Sequence, residues 1–260
     1  MKKLVINADD FGFTHDVNAG IVEAHRHGIL TATTIMANGA AFEDAVRLAR
    51  ENPELDIGCH LVLVQGRSVL SHGAALPETL SQLVRAVALG RIRPYEELAA
   101  QVRVIVASGL RPTHLDTHKH THLLPSVLEA VARLSEEFGI PWVRRPFDYG
   151  STSLVGRALR LMGGSFRRVL ARHGCRTTDS FAGFQMTGRF GPAELAALIR
   201  KLPAGVTEFM CHPGRCGDEL RSAATRLKES RERELAALTH PDTRRALAEA
   251  GVELVSYRSL

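Results

Sequence analysis

Aromatic residues are scarce in this chain, at 5% of 260 positions, too few to furnish the stacking platforms of a general nucleic-acid groove. Cysteine is scarcer still, limited to Cys59, Cys175, Cys211 and Cys216. These make no disulfide framework. The C-x4-C spacing of Cys211 and Cys216, with no second pair beside it, does not match a zinc ribbon. No window approaches the ~18 uninterrupted apolar residues of a membrane-spanning helix. The opening MKKLVINADDFG turns polar and acidic before a signal-peptide core could form, so the chain reads as cytoplasmic. Acidic residues are missing from one stretch in particular. Between Tyr149 and Thr178 stand Arg157, Arg160, Arg167, Arg168, Arg172 and Arg176, with no Asp or Glu. The whole chain carries a formal +5, so its basic balance is local. No nucleic-acid partner is expected.

What remains is ordinary globular material, 45% hydrophobic and 23% charged. The chain is long enough to bury roughly 70–75% of its unfolded surface without covalent staples. Lys3–Asn7, Thr31–Met36, Leu55–His60, Thr113–His118, Trp142–Arg144, Val206–Cys211 and Val252–Tyr257 read as strands. Between them Asp16 reads as the N-cap of a helix running to Gly28, with Val17, Ile21 and Ala24 on one face. Pro125–Phe138 reads as a helix stopped by Gly139, and Ala223–Ala250 as mostly helical. Strands alternating with helices argue for βαβ units and a parallel sheet. About seven strands fit a closed or nearly closed (β/α) barrel, a seven-stranded or otherwise irregular TIM-like form, in one catalytic domain over 1–260. Two segments break the rhythm, 64–93 and 149–183, and long connections of this kind serve as lids or binding loops.

The chemistry gathers where strands end. The first strand runs into Asn7-Ala8-Asp9-Asp10-Phe11-Gly12, the third into Gly58-Cys59-His60, and the strand after VTEF into Met210-Cys211-His212-Pro213. Between them lies His114-Leu115-Asp116-Thr117-His118-Lys119-His120-Thr121-His122. In β/α barrels the C-terminal strand ends open onto one face, where active sites sit. Taken singly, Asp-Asp before Phe-Gly could be an ordinary turn, and His60 or His212 an ordinary core histidine. Together they supply one carboxylate and two histidines, Asp10, His60 and His118, a set that holds a divalent metal and leaves a position for water. The set suits Zn²⁺ first and is open to Mn²⁺, Co²⁺, Ni²⁺ or Mg²⁺. Consecutive strand residues point opposite ways, so Asp9 takes a different role from Asp10, that of proton acceptor. His212 is placed to protonate a leaving group. Asp116, His120 and His122 are candidates for substrate contact or for orienting a ligand. The reaction class is metal-assisted hydrolysis of an amide or ester.

These motifs resemble the YdjC family of carbohydrate deacetylases, marked by an N-A-D-D-F-G start, a G-x-H strand end, an L-D-x-H-x-H-x-H block and a C-H-P turn. All four stand here in order as NADDFG, GCH, LDTHKHTH and MCHP. The resemblance implies a β/α barrel and a divalent-metal-dependent N-deacetylase acting on N-acetylglucosamine-type sugars. It places metal ligands at Asp10, His60 and His118 and the base at Asp9. Within the family, the run HLVLVQGRSVL (60–70) and FAGFQMTGRF (181–190) look more like the hopanoid-biosynthesis-associated branch, which deacetylates an N-acetylglucosaminyl lipid. The competing branch acts on soluble chitooligosaccharides such as diacetylchitobiose. A membrane-surface binding module without catalysis is the reading from outside enzymes, and the joint presence of Asp9, Asp10, His60, His118 and His212 argues against it.

The arginine-rich stretch bears on the choice. In LVGRALRLMGGSFRRVLAR (154–172), apolar residues recur at three- and four-residue steps, with Arg160, Arg167 and Arg168 available for the flanks. Such a helix suits the plane of an anionic membrane, at the inner face of the cytoplasmic membrane here. It suits equally a core-covering position with a solvated rim.

Overall fold

The computed structural model describes residues 1–149 and 154–260, apart from the side chains of 154–161. Among the described residues, eight strands share one parallel sheet: β1 (Lys2–Phe11), β2 (Ala32–Ile35), β3 (Asp56–Leu61), β4 (His114–Thr117), β5 (Trp142–Val143), β6 (Ser180–Ala182), β7 (Gly205–Cys211) and β8 (Val252–Leu254). The order β5-β4-β3-β2-β1-β7-β6 puts β1 between β2 and β7, with β8 paired to its first residues. The two edges of this row meet. The Val143 N–H donates to the Arg176 carbonyl at 2.9 Å and the Tyr149 N–H to that of Phe181 at 2.9 Å, which curls the sheet into a barrel. The ring strands therefore number seven, as the sequence predicts. The seventh, however, is β6, inside the irregular 149–183 segment, and Val252–Leu254 sits outside the ring. Three residues ending against Gly183 are too short to show a period in sequence.

Helices α1 (His15–His27), α2 (Phe42–Glu51), α3 (Leu80–Ala88), α4 (Pro94–Ala107), α5 (Pro125–Phe138), α6 (Leu154–Arg172), α7 (Pro192–Arg200), α8 (Asp218–Ser222), α9 (Glu229–Thr239) and α10 (Pro241–Ala250) complete the architecture. Helix α1 starts slightly earlier than its sequence suggests: Thr14, not Asp16, is the N-cap, its hydroxyl accepting the Val17 N–H. Asp16 instead accepts the Leu220 N–H. Val17, Ile21 and Ala24 are buried as the pattern predicts, and Gly139 ends α5 in the left-handed conformation at φ 64°.

The two irregular segments differ in how they are held. Segment 64–93 is anchored from α4. Buried Glu97 accepts from the Ser68 hydroxyl at 2.5 Å and the Val69 N–H at 2.9 Å, while Gln101 brackets the backbone of Val62. Its helix α3 buries only Leu83; Leu80 is 50% exposed and Val84 46%. In α6, by contrast, Phe166 and Leu170 belong to the main core, while Arg167 and Arg168 face out. Of the described apolar residues of α6, Phe166, Val169 and Leu170 pack on the core, whereas Met162 is 38% exposed. The Arg160 side chain lies outside the described residues. Among the described residues, no helix is long and apolar enough to cross a membrane.

Candidate metal and acid–base site

A regular strand would turn Asp9 and Asp10 to opposite faces. The β1–β2 register breaks between Ala8 and Phe11, and Asp10 adopts φ 71°, a left-handed conformation rare outside glycine. This bulge brings both carboxylates to the mouth of the barrel. Strand β3 delivers His60 opposite. His118 follows β4 directly, at the start of a 3-10 turn in which Lys119 and His120 are also left-handed, at φ 53° and 52°. Consecutive strained residues of this kind cluster at functional sites.

Asp10 Oδ1 stands 3.3 Å from His60 Nε2 and 3.3 Å from His118 Nδ1, and the two ring nitrogens are 3.2 Å apart. Asp10 Oδ1 is buried without a hydrogen-bond donor. Its sister oxygen takes Arg231 Nη2 at 2.5 Å. His60 Nδ1 lies 2.7 Å from Asp116 Oδ1; donating its proton there leaves the Nε2 lone pair facing Asp10. Three donors of the kind a divalent cation prefers therefore converge, one of them unsatisfied, with a carboxylate behind one histidine. The residues fit a metal. Burial alone would push His60 down, but Asp116 and Asp10 outweigh it and lift the imidazole to about 10. The surroundings favour positive charge at this point.

Asp9 is held differently. Arg144, the last residue of the predicted fifth strand and 2% exposed, sets one Nη on each Asp9 oxygen at 2.7 Å. The same guanidinium reaches Asp116 at 2.6 Å and, through Nε, Glu208 at 2.7 Å. Burial would raise the Asp9 pKa, yet Arg144 overcomes it and keeps the carboxyl well below the usual range. Arg231 does the same for Asp10. His212 Nε2 stands 3.9 Å from Asp9 Oδ2. Its backbone N–H donates to Glu234, which also receives the Gly188 N–H, and burial lowers its ring to about 4.

The remaining expected residues divide. Asp116 is fully buried behind His60 and does not line the mouth. His122 is equally enclosed: its ring bridges the Thr117 hydroxyl at 2.5 Å and the Arg144 carbonyl at 3.1 Å. Both of its nitrogens are used inside the protein, so it props the end of β5 and has no contact to offer a sugar. His120 lies almost buried against Phe184, ring centroids 5.2 Å apart, with Nδ1 unpartnered.

The sequence profile of the family described as YdjC-like protein matches residues 3–249. The chain belongs to the YdjC-like family. Proteins named carbohydrate deacetylase in Geobacillus stearothermophilus and Brevibacillus brevis are similar, the first 35% identical over 98% of this chain and 96% of its own length. The second is 33% identical over 99% of both. A solved structure from Enterococcus faecalis V583, named for proposed cellobiose-phosphate cleavage, superposes with a TM-score of 0.77 and 27% identity, covering 99% of this chain and 98% of that one. A lactam utilization protein from Thermus thermophilus shares the fold, at TM-score 0.52 and 15% identity over 98% and 99% of the two chains. The four motifs by which the sequence resembles the YdjC-like family thus open on a single mouth. Behind Asp9, Asp10 and His212 stand Arg144, Arg231, Asn7, Glu208 and Glu234, all buried, to which the sequence reading assigns no role. Arg144 closes a predicted strand in VRRPF and could have been found as a fifth strand end. Arg231 lies in ESRERELAAL, which reads as a solvated charged helix and offers no such signal.

Proposed function

We propose that the protein is a carbohydrate N-deacetylase, hydrolysing the acetamido group of an N-acetylglucosamine-type sugar with one divalent ion held by Asp10, His60 and His118. The observation that carries this is the pairing of a bare three-donor cluster with an adjacent carboxylate clamped by Arg144. When bound, a Zn²⁺-like ion polarises the amide carbonyl and draws the pKa of a water towards ~7. Asp9, kept ionised by Arg144, takes the proton of the attacking water. Its carboxylate has lone pairs beyond those Arg144 engages. His212, 3.9 Å across from Asp9, relays that same proton to the departing amine as the C–N bond breaks, so that Asp9 returns to its ionised form and acetate and a free amino sugar leave. Asp116 orients His60 throughout.

For the substrate's other end we propose a lipid, as in an acetylglucosaminyl hopanoid. Besides the two sequence runs that resemble that branch, α3 supports it: Leu80, Val84 and the following Leu89 are turned outward. Arg67, Arg85, Arg91 and Arg93 are exposed in the same segment, where Glu78 is the lone acid. An apolar helix face rimmed by arginines suits an anionic bilayer, and exposed Arg167 and Arg168 add charge. The second reading, a soluble chitooligosaccharide, is supported by relatives named simply for carbohydrate. The test is acetate release from a glucosaminyl lipid and from diacetylchitobiose in parallel, with and without chelator. Chelator should abolish both reactions. Turnover of the disaccharide alone would leave the deacetylase and remove the lipid. Chelator-resistant release would remove the metal.

A further inference from the structure

His114 does not reach the mouth. It is 1% exposed and lies beneath the site on the barrel floor, stacked on Tyr257 with ring centroids 4.1 Å apart and planes 25° from parallel. The chain makes room for it specifically: a Cβ on Gly58 would come within 2.5 Å of the His114 ring. His114 Nε2 stands 2.8 Å from Asn7 Oδ1, and Asn7 Nδ2 stands 3.1 Å from Asp9 Oδ1. All three residues are buried. A side-chain amide can lie either way round, and the two ways have opposite consequences here. With the NH₂ towards Asp9, the amide donates to the carboxylate. Reversed, its carbonyl oxygen faces that carboxylate, acceptor against acceptor, in a place water does not reach.

We infer that His114 is a positioning residue for Asp9 and acts through Asn7, its Nε2–H locking the amide in the orientation that donates. Arg144 grips Asp9 from one side and the His114–Asn7 relay aims it from another. The Gly58 of the G-C-H strand end thereby acquires a role at the base, besides delivering His60. This rests on Asp9 being the base.

Two replacements of His114 separate relay from packing. His114→Phe keeps a ring to stack on Tyr257 and loses the donor, whereas His114→Gln loses the ring and keeps an N–H that reaches Asn7. Under the relay, His114→Phe lowers kcat roughly ten- to a hundredfold, the cost of a misplaced catalytic group, with KM and bound metal unchanged. His114→Gln recovers most of the rate. In an Asn7→Ala background, His114→Phe should then have no further effect on kcat. If His114→Phe fails to accumulate folded, the isosteric Asn7→Asp, which sets an acceptor against Asp9, should show the same selective kcat loss. Equal rates for the Phe and Gln variants, a Phe variant faster than Gln, additive effects in the double variant or a fully active Asn7→Asp would overturn the relay. A fully active Asp9→Asn would overturn both the relay and the base. A slow Asp9→Asn beside indifferent His114 variants would overturn the relay alone.

Discussion

Asp9 and Asp10 are chemically identical neighbours, each paired with a buried arginine, and the structure fits them for opposite work. Arg144 closes on Asp9 with two parallel contacts at 2.7 Å and leaves neither oxygen bare. Arg231 touches one oxygen of Asp10 and leaves the other facing two imidazoles at 3.3 Å. The number of contacts an arginine makes, more than the carboxylate it meets, distinguishes a held base from a metal ligand. Two-point contact fixes direction as well as charge; one-point contact supplies charge and frees a lone pair.

The hardest break of this asymmetry is at the ligands. His60→Ala or His118→Ala should abolish both bound metal and turnover, read by elemental analysis of the purified protein alongside acetate release; stoichiometric metal in the double variant would remove the site. Asp9→Asn should retain metal and lose about two to four decades of rate, whereas Asp10→Asn should lose affinity for the metal itself. Sharper still is Arg231→Lys. It should weaken metal affinity about 10- to 100-fold, as expected for a group that orients a ligand, yet spare kcat when metal is saturating, and a titration of activity against metal distinguishes the two. The smallest expected effect is on stability. Burial, reinforced by Arg144, lowers His122 to about 3 and holds His114 well below 6.5. The unfolded chain takes protons on these rings near 6.5 while the fold does not. Stability should therefore fall as pH drops below about 6.5 and go on falling towards 3, visible as a declining melting temperature. A melting temperature that is flat from pH 7 to 4 would contradict this.

Much of this site was legible because strand ends advertise themselves. NADDFG, GCH, LDTHKHTH and MCHP each place ionisable residues after a β-rich run, and a parallel barrel leaves such ends nowhere to go but one mouth. What stayed hidden had a physical reason. Arg231 arrives from a helix whose sequence looks solvated, because burial of a charge depends on a partner more than 200 residues away. Strand β6 is invisible in the sequence because three residues cannot show a period. In α6, periodicity does not say whether an apolar face meets a bilayer or a core; Phe166 and Leu170 meet the core. Conversely, α3 has a weak claim by pattern and the barer face.

The place of β1 between β2 and β7 has a consequence for how the molecule comes into being. The strand that carries both aspartates is made before the rest of the barrel, yet its neighbour β7 and the Tyr257 ring beneath the site come from the far end of the chain. At roughly 5–20 residues per second, the ~200 residues between β1 and β7 occupy the ribosome for on the order of 10–40 s. Throughout that interval the first strand has only β2 for company, its other edge open to any passing strand. Nascent chains of this protein are thus most vulnerable to mispairing through the segment that carries Asp9 and Asp10, and a chaperone that shields β1 would protect the two together.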